Sequence, residues 1–408
     1  MRTIQLPFGA RAIDVKLSDC AVTVAEPAGG EPIDVRSAAK AALDDPAAPA
    51  LDELAEPDDT VAIVVTDVTR ATPDGELVDL LLSTLQSAGV SRDQVTVVVG
   101  LGLHRPMTDA ELETMLGEHA NLAINHDPAE TVGVGEVDGV TIECNRRVTE
   151  ADLVLATGMV EPHQYAGFSG GGKTVAIGAG GESLIRYTHG PEMLSRPGVR
   201  LGRIEDNPFR AAVDAAGELC GLDFCVNVTH GPAGILDVAA GKPQAVVRGL
   251  ADSARDALSV EVEDEYDAVL AGVGAPKDAN LYQTTRAATY VALGAKTPLR
   301  AGGRIVIPAA LSEGAGEGTG ERRFYKWLSE AESAEELYER MRSGYEPGAQ
   351  RAFVVARALR EHDVYITNSE ASDVVDDCLM HAHDRVEDAI EPGSDVLVVP
   401  DALNTLLV

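Results

Sequence analysis

Positive charge is what this sequence has least of. Its 408 residues include 33 Lys and Arg against 66 Asp and Glu, a formal charge of −33. That balance argues against nucleic acid, whose phosphates would be repelled, and disfavours an anionic membrane surface. Aromatic residues are sparse at 4%, so the core is built mainly from Val, Ala and Leu. The five cysteines (Cys20, Cys144, Cys220, Cys225 and Cys378) are scattered, odd in number and form no C-x-x-C pair. They read as unpaired thiols in a reducing compartment. No apolar run reaches the length of about 18 residues that a membrane span needs, and Met1-Arg-Thr-Ile-Gln is no signal peptide. A soluble, cytoplasmic protein is expected.

What is present is 45% apolar residues, enough for a substantial core. The length suits two domains at roughly 100–200 residues each. The pattern of elements predicts an α/β fold, with two α/β domains and mostly parallel sheets. Thr60–Thr66 and Gln94–Gly100 are continuous β-branched runs, the mark of strands buried on both faces. Each is followed by a polar loop and a helix: roughly Gly75–Ala88 after the first, and one opened by a Thr108/Glu111 capping box after the second. Asp152–Gly158 is a third such strand. In parallel sheets ligands bind beyond the carboxyl ends of the strands. Asp67, Arg70, His104, Arg105 and His163 all follow such ends. The acidic stretch Glu261–Asp267 is the expected boundary, giving domains of residues 1–262 and 263–408, the last residues packing back on the first domain. The active site is expected in the cleft between them, with closure excluding water.

The densest block of chemistry is Glu161–His189, where one of only seven lysines follows three glycines. Gly167-Phe-Ser-Gly-Gly-Gly172-Lys173-Thr174 satisfies G-x-x-x-x-G-K-[ST] at each fixed position. A phosphate-binding loop of that kind must follow a strand directly and open a helix. Here Asp152–Gly158 ends well short of Phe168, and Val-Ala-Ile-Gly-Ala-Gly-Gly after Thr174 offers no helical face. Lys173 suits a phosphate ligand, a Schiff base or a cofactor attachment point. His189, at the end of an expected helix Glu182–Thr188, suits a metal through its neutral imidazole, but no other soft ligand lies near it in sequence. His119, His126, His230 and His362 are expected to be structural or superficial. His381-Ala-His383 is expected on the solvated face of a short helix, and Trp327 in a core.

Several of these motifs occur together. Asp67-x-Thr-Arg70, Gly102-Leu-His104-Arg-Pro-x-Thr108, Glu161-Pro-His163 and Ala166-Gly-Phe-Ser-Gly-Gly-x-Lys173, with His189 beyond, closely resemble the nickel-dependent lactate racemase family. The resemblance covers nearly the whole chain and extends to Asn125-His126-Asp127, Asn227-Val228 and Tyr282-Gln283. It implies a nickel-pincer nucleotide (a pyridinium-3,5-bisthiocarboxylate mononucleotide) joined to Lys173 as a thioamide. Nickel would be held by the cofactor's sulfurs and ring carbon, with His189 as the protein ligand. His104 and His163 would be the paired acid/base residues. Arg70 and Gln283 would orient the substrate, beside Tyr282 and Arg286. Asp67 and Thr69 would meet the nucleotide's ribose or phosphate, and Ser169, Gly170, Gly171 and Gly172 would let backbone approach the pyridinium.

The implied reaction is racemisation or epimerisation of a 2-hydroxy acid, lactate or a larger one. Removing the α-proton beside a carboxylate is very costly. Taking the hydroxyl proton while the α-hydrogen leaves as hydride avoids a carbanion, and the transient 2-keto acid can receive hydride on its other face. One base per enantiomer requires two histidines, with an unperturbed pKa of about 6.5. Two departures stand out: Arg286 replaces a Lys found in lactate-specific members, which favours a larger or more anionic substrate, and Ile177-Gly-Ala-Gly replaces Pro-Gly. Cofactor-building enzymes are implied partners, and recombinant protein made without them is expected to lack the group. The alternatives are a P-loop-like nucleotide hydrolase and a non-catalytic cofactor- or metal-binding module.

Acidic residues spread along the chain, with Arg preferred to Lys, suggest a surface suited to high salt. Screening shortens from about 10 Å at 0.1 M to about 3 Å at 1 M, relieving self-repulsion. The thermal midpoint should therefore rise steadily between 0.1 and 1 M KCl; a flat or falling midpoint would contradict this.

Overall fold

The computed structural model describes residues 2–408 except 48, 103 and 347, with residue 2 described by its backbone alone. Leu103, inside the Gly102–Thr108 motif, therefore lies outside the described residues. Contacts divide the chain into two units. One comprises the chain up to Ala28, Gly190–Ser195 and Leu258–Val408; the other comprises Gly29–His189 and Arg196–Ala257. The division thus differs from a single cut after residue 262. Its physical reason is strand pairing: Ala21–Val24 lies parallel to Asp395–Val399 at one edge of the first unit's sheet.

The second unit is built on a six-stranded sheet. Its spatial order is Gly234–Gly241, Leu222–Gly231, Leu153–Met159, Val61–Val65, Val95–Val99, Ala123–Asn125. Only the first pair is antiparallel. Every residue of Val61–Val65 and Leu153–Met159 is buried, as helices on both faces demand. Read in chain order this is a doubly wound sheet, and its order reverses between those two central strands. Ligands bind such sheets in the crevice beyond the strand ends at the reversal.

The first unit's sheet is wholly parallel, in the order His381–His383, Asp363–Thr367, Leu299–Pro308, Tyr266–Ala271, Asp395–Val399, Ala21–Val24. The hairpin Arg2–Phe8/Arg11–Leu17 contributes Ile4, Leu6, Val15 and Leu17 to a core with Val306 and Val396. Tyr282, Gln283 and Arg286 lie on the helix Leu281–Ala292, whose first turn is capped by Asn280 Oδ1 accepting from Gln283 N–H at 3.0 Å.

Several expectations are corrected. His381-Ala-His383 is an edge strand, not a helix, with its rings 4.8 and 5.4 Å from the Tyr365 ring. Trp327 is only half-buried, covered by the Arg340 guanidinium 4.8 Å from its ring. The antiparallel pair Thr131–Val137/Val140–Asn145, split by a turn with Gly139 at φ +79°, was not anticipated.

The largest correction is local. Despite its glycines, Gly172–Gly178 is a helix, entered through Gly171 at φ +58°. Tertiary contacts override its poor propensity. A Cβ on Gly217 of helix Pro208–Leu219 would lie 2.6 Å from Gly172 Cα, and one on Gly178 would lie 3.0 Å from Gly100 Cα. Gly102 N–H also donates to the Gly178 carbonyl at 2.9 Å. The glycines let three backbone segments touch, which fixes where Lys173 begins. Gly217→Ala should cost about 1–3 kcal/mol through overpacking, read as a lower denaturation midpoint; unchanged stability would show that the crossing is not tight.

Candidate functional site

The site is assembled at the reversal of strand order. After Val61–Val65 the chain turns through Asp67, which is 6% exposed. Its Oδ1 accepts from the Thr69 N–H (3.0 Å) and hydroxyl (2.5 Å), and its Oδ2 lies 2.5 Å from His104 Nδ1. Burial pushes this carboxyl up, but the bonds from His104 and Thr69 outweigh it and leave it below its ordinary value. It is therefore ionised and can only accept. His104 Nδ1 must carry the proton, which makes Nε2 the basic nitrogen. The Thr69 hydroxyl proton and both Asp67 oxygens take part in this arrangement, and the oxygens keep further lone pairs.

His163 follows the neighbouring strand and has the opposite tautomer. Its Nδ1 accepts backbone N–H bonds from Tyr165 (3.3 Å) and Ala166 (3.1 Å), so a neutral ring carries its proton on Nε2. The two rings thus differ: His104 has its lone pair on Nε2, whereas His163 has an N–H there. His163 also belongs to a cluster of four rings. Tyr165 and Phe209 each pack against both His163 and His189, with centroid separations of 5.1–6.0 Å.

His189 caps the helix Glu182–Thr188, which forms where expected. Its Nδ1 donates to the Ile185 carbonyl at 3.1 Å, leaving Nε2 with the lone pair. Burial, then the Lys173 charge, pushes its pKa down to about 4, against the Ile185 bond. A histidine held neutral and oriented through its other nitrogen is the form that binds metals.

Lys173 retains some surface but its amine is packed within protein, and burial with the Arg70 and Arg210 charges lowers its pKa to about 7, Glu161 opposing. The preceding loop is clamped from below. Buried Arg210 donates to the carbonyls of Phe168 (3.2 Å) and Gly170 (3.4 Å), while Asn227 Oδ1 accepts from Gly171 N–H at 2.9 Å. The Ser169 hydroxyl donates to the Met159 carbonyl at 2.6 Å and accepts from Glu161 N–H at 3.0 Å.

Arg70 meets Glu161 (2.8 Å), whose other oxygen lies 3.4 Å from His230 Nε2. Sequence reasoning gave His230 no part here and missed Phe209 and Arg210. Phe209 and Arg210 carry no local signal beyond opening a helix, and only the sheet order brings His230 to Glu161. The structure thus gathers Asp67, Thr69, Arg70, His104, His163, Ser169–Gly172, Lys173 and His189 in the second unit. Tyr282, Gln283 and Arg286 belong to the first, where Arg286 Nη1 donates to Gln283 Oε1 at 3.4 Å and Arg351 covers the Tyr282 ring at 5.2 Å.

Lys173 does open a helix, but the short pair Pro162–His163/Gly167–Phe168 intervenes between the strand and the glycine loop, unlike a phosphate-binding loop. Residues 8–202 match the family model of the lactate racemase N-terminal domain, and residues 263–406 that of the lactate racemase C-terminal domain. The chain belongs to the lactate racemase family. It is thereby an isomerase by family. Two curated relatives agree end to end, both named lactate racemase. That of Thermoanaerobacterium thermosaccharolyticum is 26% identical, covering 100% of this chain and 99% of its own length; that of Lactiplantibacillus plantarum is 26% identical, covering 100% of each. In fold, the chain is similar to the lactate racemase apoprotein of Thermoanaerobacterium thermosaccharolyticum (TM-score 0.87, 24% identity, 100% of each chain). A Thermotoga maritima protein shares the fold at a TM-score of 0.66, with 17% identity over 93% of this chain and 99% of its own.

Near this site lies a further, buried carboxyl. Asp74, 1% exposed, accepts from the hydroxyls of Thr66 (2.7 Å) and Thr157 at the two central strands. Burial raises its pKa to about 7, the threonine bonds opposing. A carboxyl raised above its unfolded value holds its proton more tightly in the native state, so its contribution falls as pH rises from about 4 to about 7. Asp74→Asn should therefore gain melting temperature relative to the parent at pH 8 and lose most of that gain by pH 5. An equal difference at both values would rule out a buried, titrating Asp74.

Proposed function

We propose that this chain racemises lactate or a closely related 2-hydroxy acid, using a nickel-pincer nucleotide attached at Lys173. The observation that carries the reading is the opposed tautomers of His104 and His163, on loops that follow strand ends of the one doubly wound sheet. The full-length likeness to two lactate racemases supports the substrate.

The residues present fit the implied group. The Lys173 amine, with its pKa near 7, is substantially uncharged at neutral pH and so nucleophilic. The loop lies flush on its floor: Cβ atoms at Gly170 and Gly171 would come 2.8 and 2.6 Å from Asn227 and Val247. Asn227 Nδ2 and Thr72 Oγ1 are buried without a hydrogen-bond partner. Among the described residues the sole three-residue group able to hold a metal is Asp79, Glu118 and His119, which excludes His189. Arg92 donates to His119 Nδ1 there (2.8 Å), marking a structural clamp. Nickel at His189 Nε2 would thus take its other ligands from the cofactor, and imidazole suits nickel. When bound, that group supplies an electrophilic ring carbon that takes up the α-hydrogen as hydride and returns it.

The chain's own work is then positional and acid–base. Arg70 grips the substrate carboxylate. His104 Nε2 accepts the hydroxyl proton, and the resulting imidazolium is stabilised by Asp67. His163 Nε2–H hydrogen-bonds the substrate oxygen; to act as the base for the other enantiomer, its proton must move to Nδ1, which gives up the Tyr165 and Ala166 N–H bonds. Tyr282, Gln283 and Arg286 are assigned to substrate binding, and Asp67, Thr69 and Ser169–Gly172 to seating the cofactor. The reading also places the enzyme in the cytoplasm, in a salt-rich cell, with cofactor-building enzymes as partners.

Protein taken from its native host should carry a nucleotide-sized adduct on the Lys173 peptide, with nickel, and racemise lactate. His104→Ala and His163→Ala in that loaded form should each lose at least about 100-fold in rate. Loaded protein that racemises no 2-hydroxy acid would refute the proposal, and full activity in either variant would refute the pairing.

A further inference from the structure

The role given to Arg70 leaves a question of orientation. A guanidinium recognises a carboxylate through two parallel bonds, so its plane must be set before the substrate arrives. The Arg70 side chain is 39% exposed and starts from a loop whose backbone is fixed by Arg70 N–H donating to the Asp67 carbonyl at 3.0 Å. Nothing in that turn fixes the far end of the side chain. Glu161 does, through a single bond from Arg70 Nη1 at 2.8 Å.

Glu161 is itself unusually well placed. Its carbonyl accepts from Ser169 N–H (2.9 Å), and its N–H donates to the Ser169 hydroxyl (3.0 Å). Next to it, Val160 N–H donates to the Val228 carbonyl (2.8 Å), and the Val160 carbonyl accepts from the Thr229 hydroxyl (2.7 Å). The backbone bearing Glu161 is thus bonded on two sides. The second carboxylate oxygen faces His230 Nε2 at 3.4 Å. The register of strand Leu222–Gly231 shifts between Thr229 and His230. Such irregularities re-aim a side chain beside a site. Glu161 and His230 side chains are 25% and 24% exposed, so this is more than a solvated surface pair.

We propose that Glu161 and His230 are positioning residues for Arg70: the carboxylate holds Nη1, His230 braces the carboxylate, and the remaining Nη2/Nε edge is presented to the carboxylate of a 2-hydroxy acid. This rests on Arg70 being the carboxylate anchor. A competing role, with Glu161 blocking Arg70, fits less well because Glu161 takes one nitrogen and leaves the bidentate edge.

The test is steady-state kinetics with lactate on cofactor-loaded enzyme, for Arg70→Ala, Glu161→Gln, Glu161→Asp and His230→Asn, with melting temperatures measured alongside. Glu161→Gln should raise KM by about 10-fold with kcat within about 3-fold, since misplacing a positioning group costs up to about 100-fold. Glu161→Asp should recover part of the loss, and His230→Asn should raise KM by about 3-fold. Melting temperatures should stay near the parent value. A KM that is unchanged or lower in Glu161→Gln, while Arg70→Ala raises it, overturns the positioning role alone. A KM unchanged in Arg70→Ala removes the anchor itself, and the proposal with it.

Discussion

The contact on which the rest depends is backbone against backbone. Helix Gly172–Gly178 meets helix Pro208–Leu219 at Gly217 and the end of strand Val95–Val99 at Gly100, with no side chain between. The strand end there leads into His104, and the first turn of Pro208–Leu219 carries Phe209 and Arg210. One close approach therefore relates Lys173, His104, the ring packed on His163 and His189, and the guanidinium under the glycine loop. Any side chain at these glycines would push these groups apart, and chemistry that needs placement to within an ångström would suffer first.

Around that contact the charges are arranged economically. A chain with twice as many acidic as basic residues brings Arg70, Arg210 and Lys173 into mutual influence. The two arginines are each matched by a carboxylate, Glu161 and Asp214, while burial and their charges lower the pKa of the lysine to about 7. His189 responds to the same potential by staying neutral. Asp67, held ionised by three bonds, fixes the tautomer of His104, and a pair of backbone amides fixes the other tautomer in His163. Function at this site is largely a matter of which atoms hold protons, and each answer is set by a neighbour in the fold.

Much of this was legible in the chain. Uninterrupted β-branched runs announced the buried parallel strands, the Thr108/Glu111 box announced a helix start, and helix Glu182–Thr188 lies where the sequence put it. The motif residues of the lactate racemase family were readable because their spacing is local. Gly172–Gly178 was not readable as a helix, since its propensity is poor and only tertiary contact stabilises it. His381-Ala-His383 misled because two-residue alternation suits a strand edge as well as an exposed turn of helix.

By itself the sequence determined the α/β class and the strand ends that bear the candidate groups, because buried strands and glycine loops are written in consecutive residues. Tertiary structure alone decided that Ala21–Val24 joins the sheet of the C-terminal residues, which imidazole nitrogen carries each proton, and that His230 and Glu161 stand behind Arg70. These depend on partners distant in the chain, such as His230, 69 residues beyond Glu161. A proton's position follows from a hydrogen bond's geometry, and no residue's identity encodes that until the chain has closed around it.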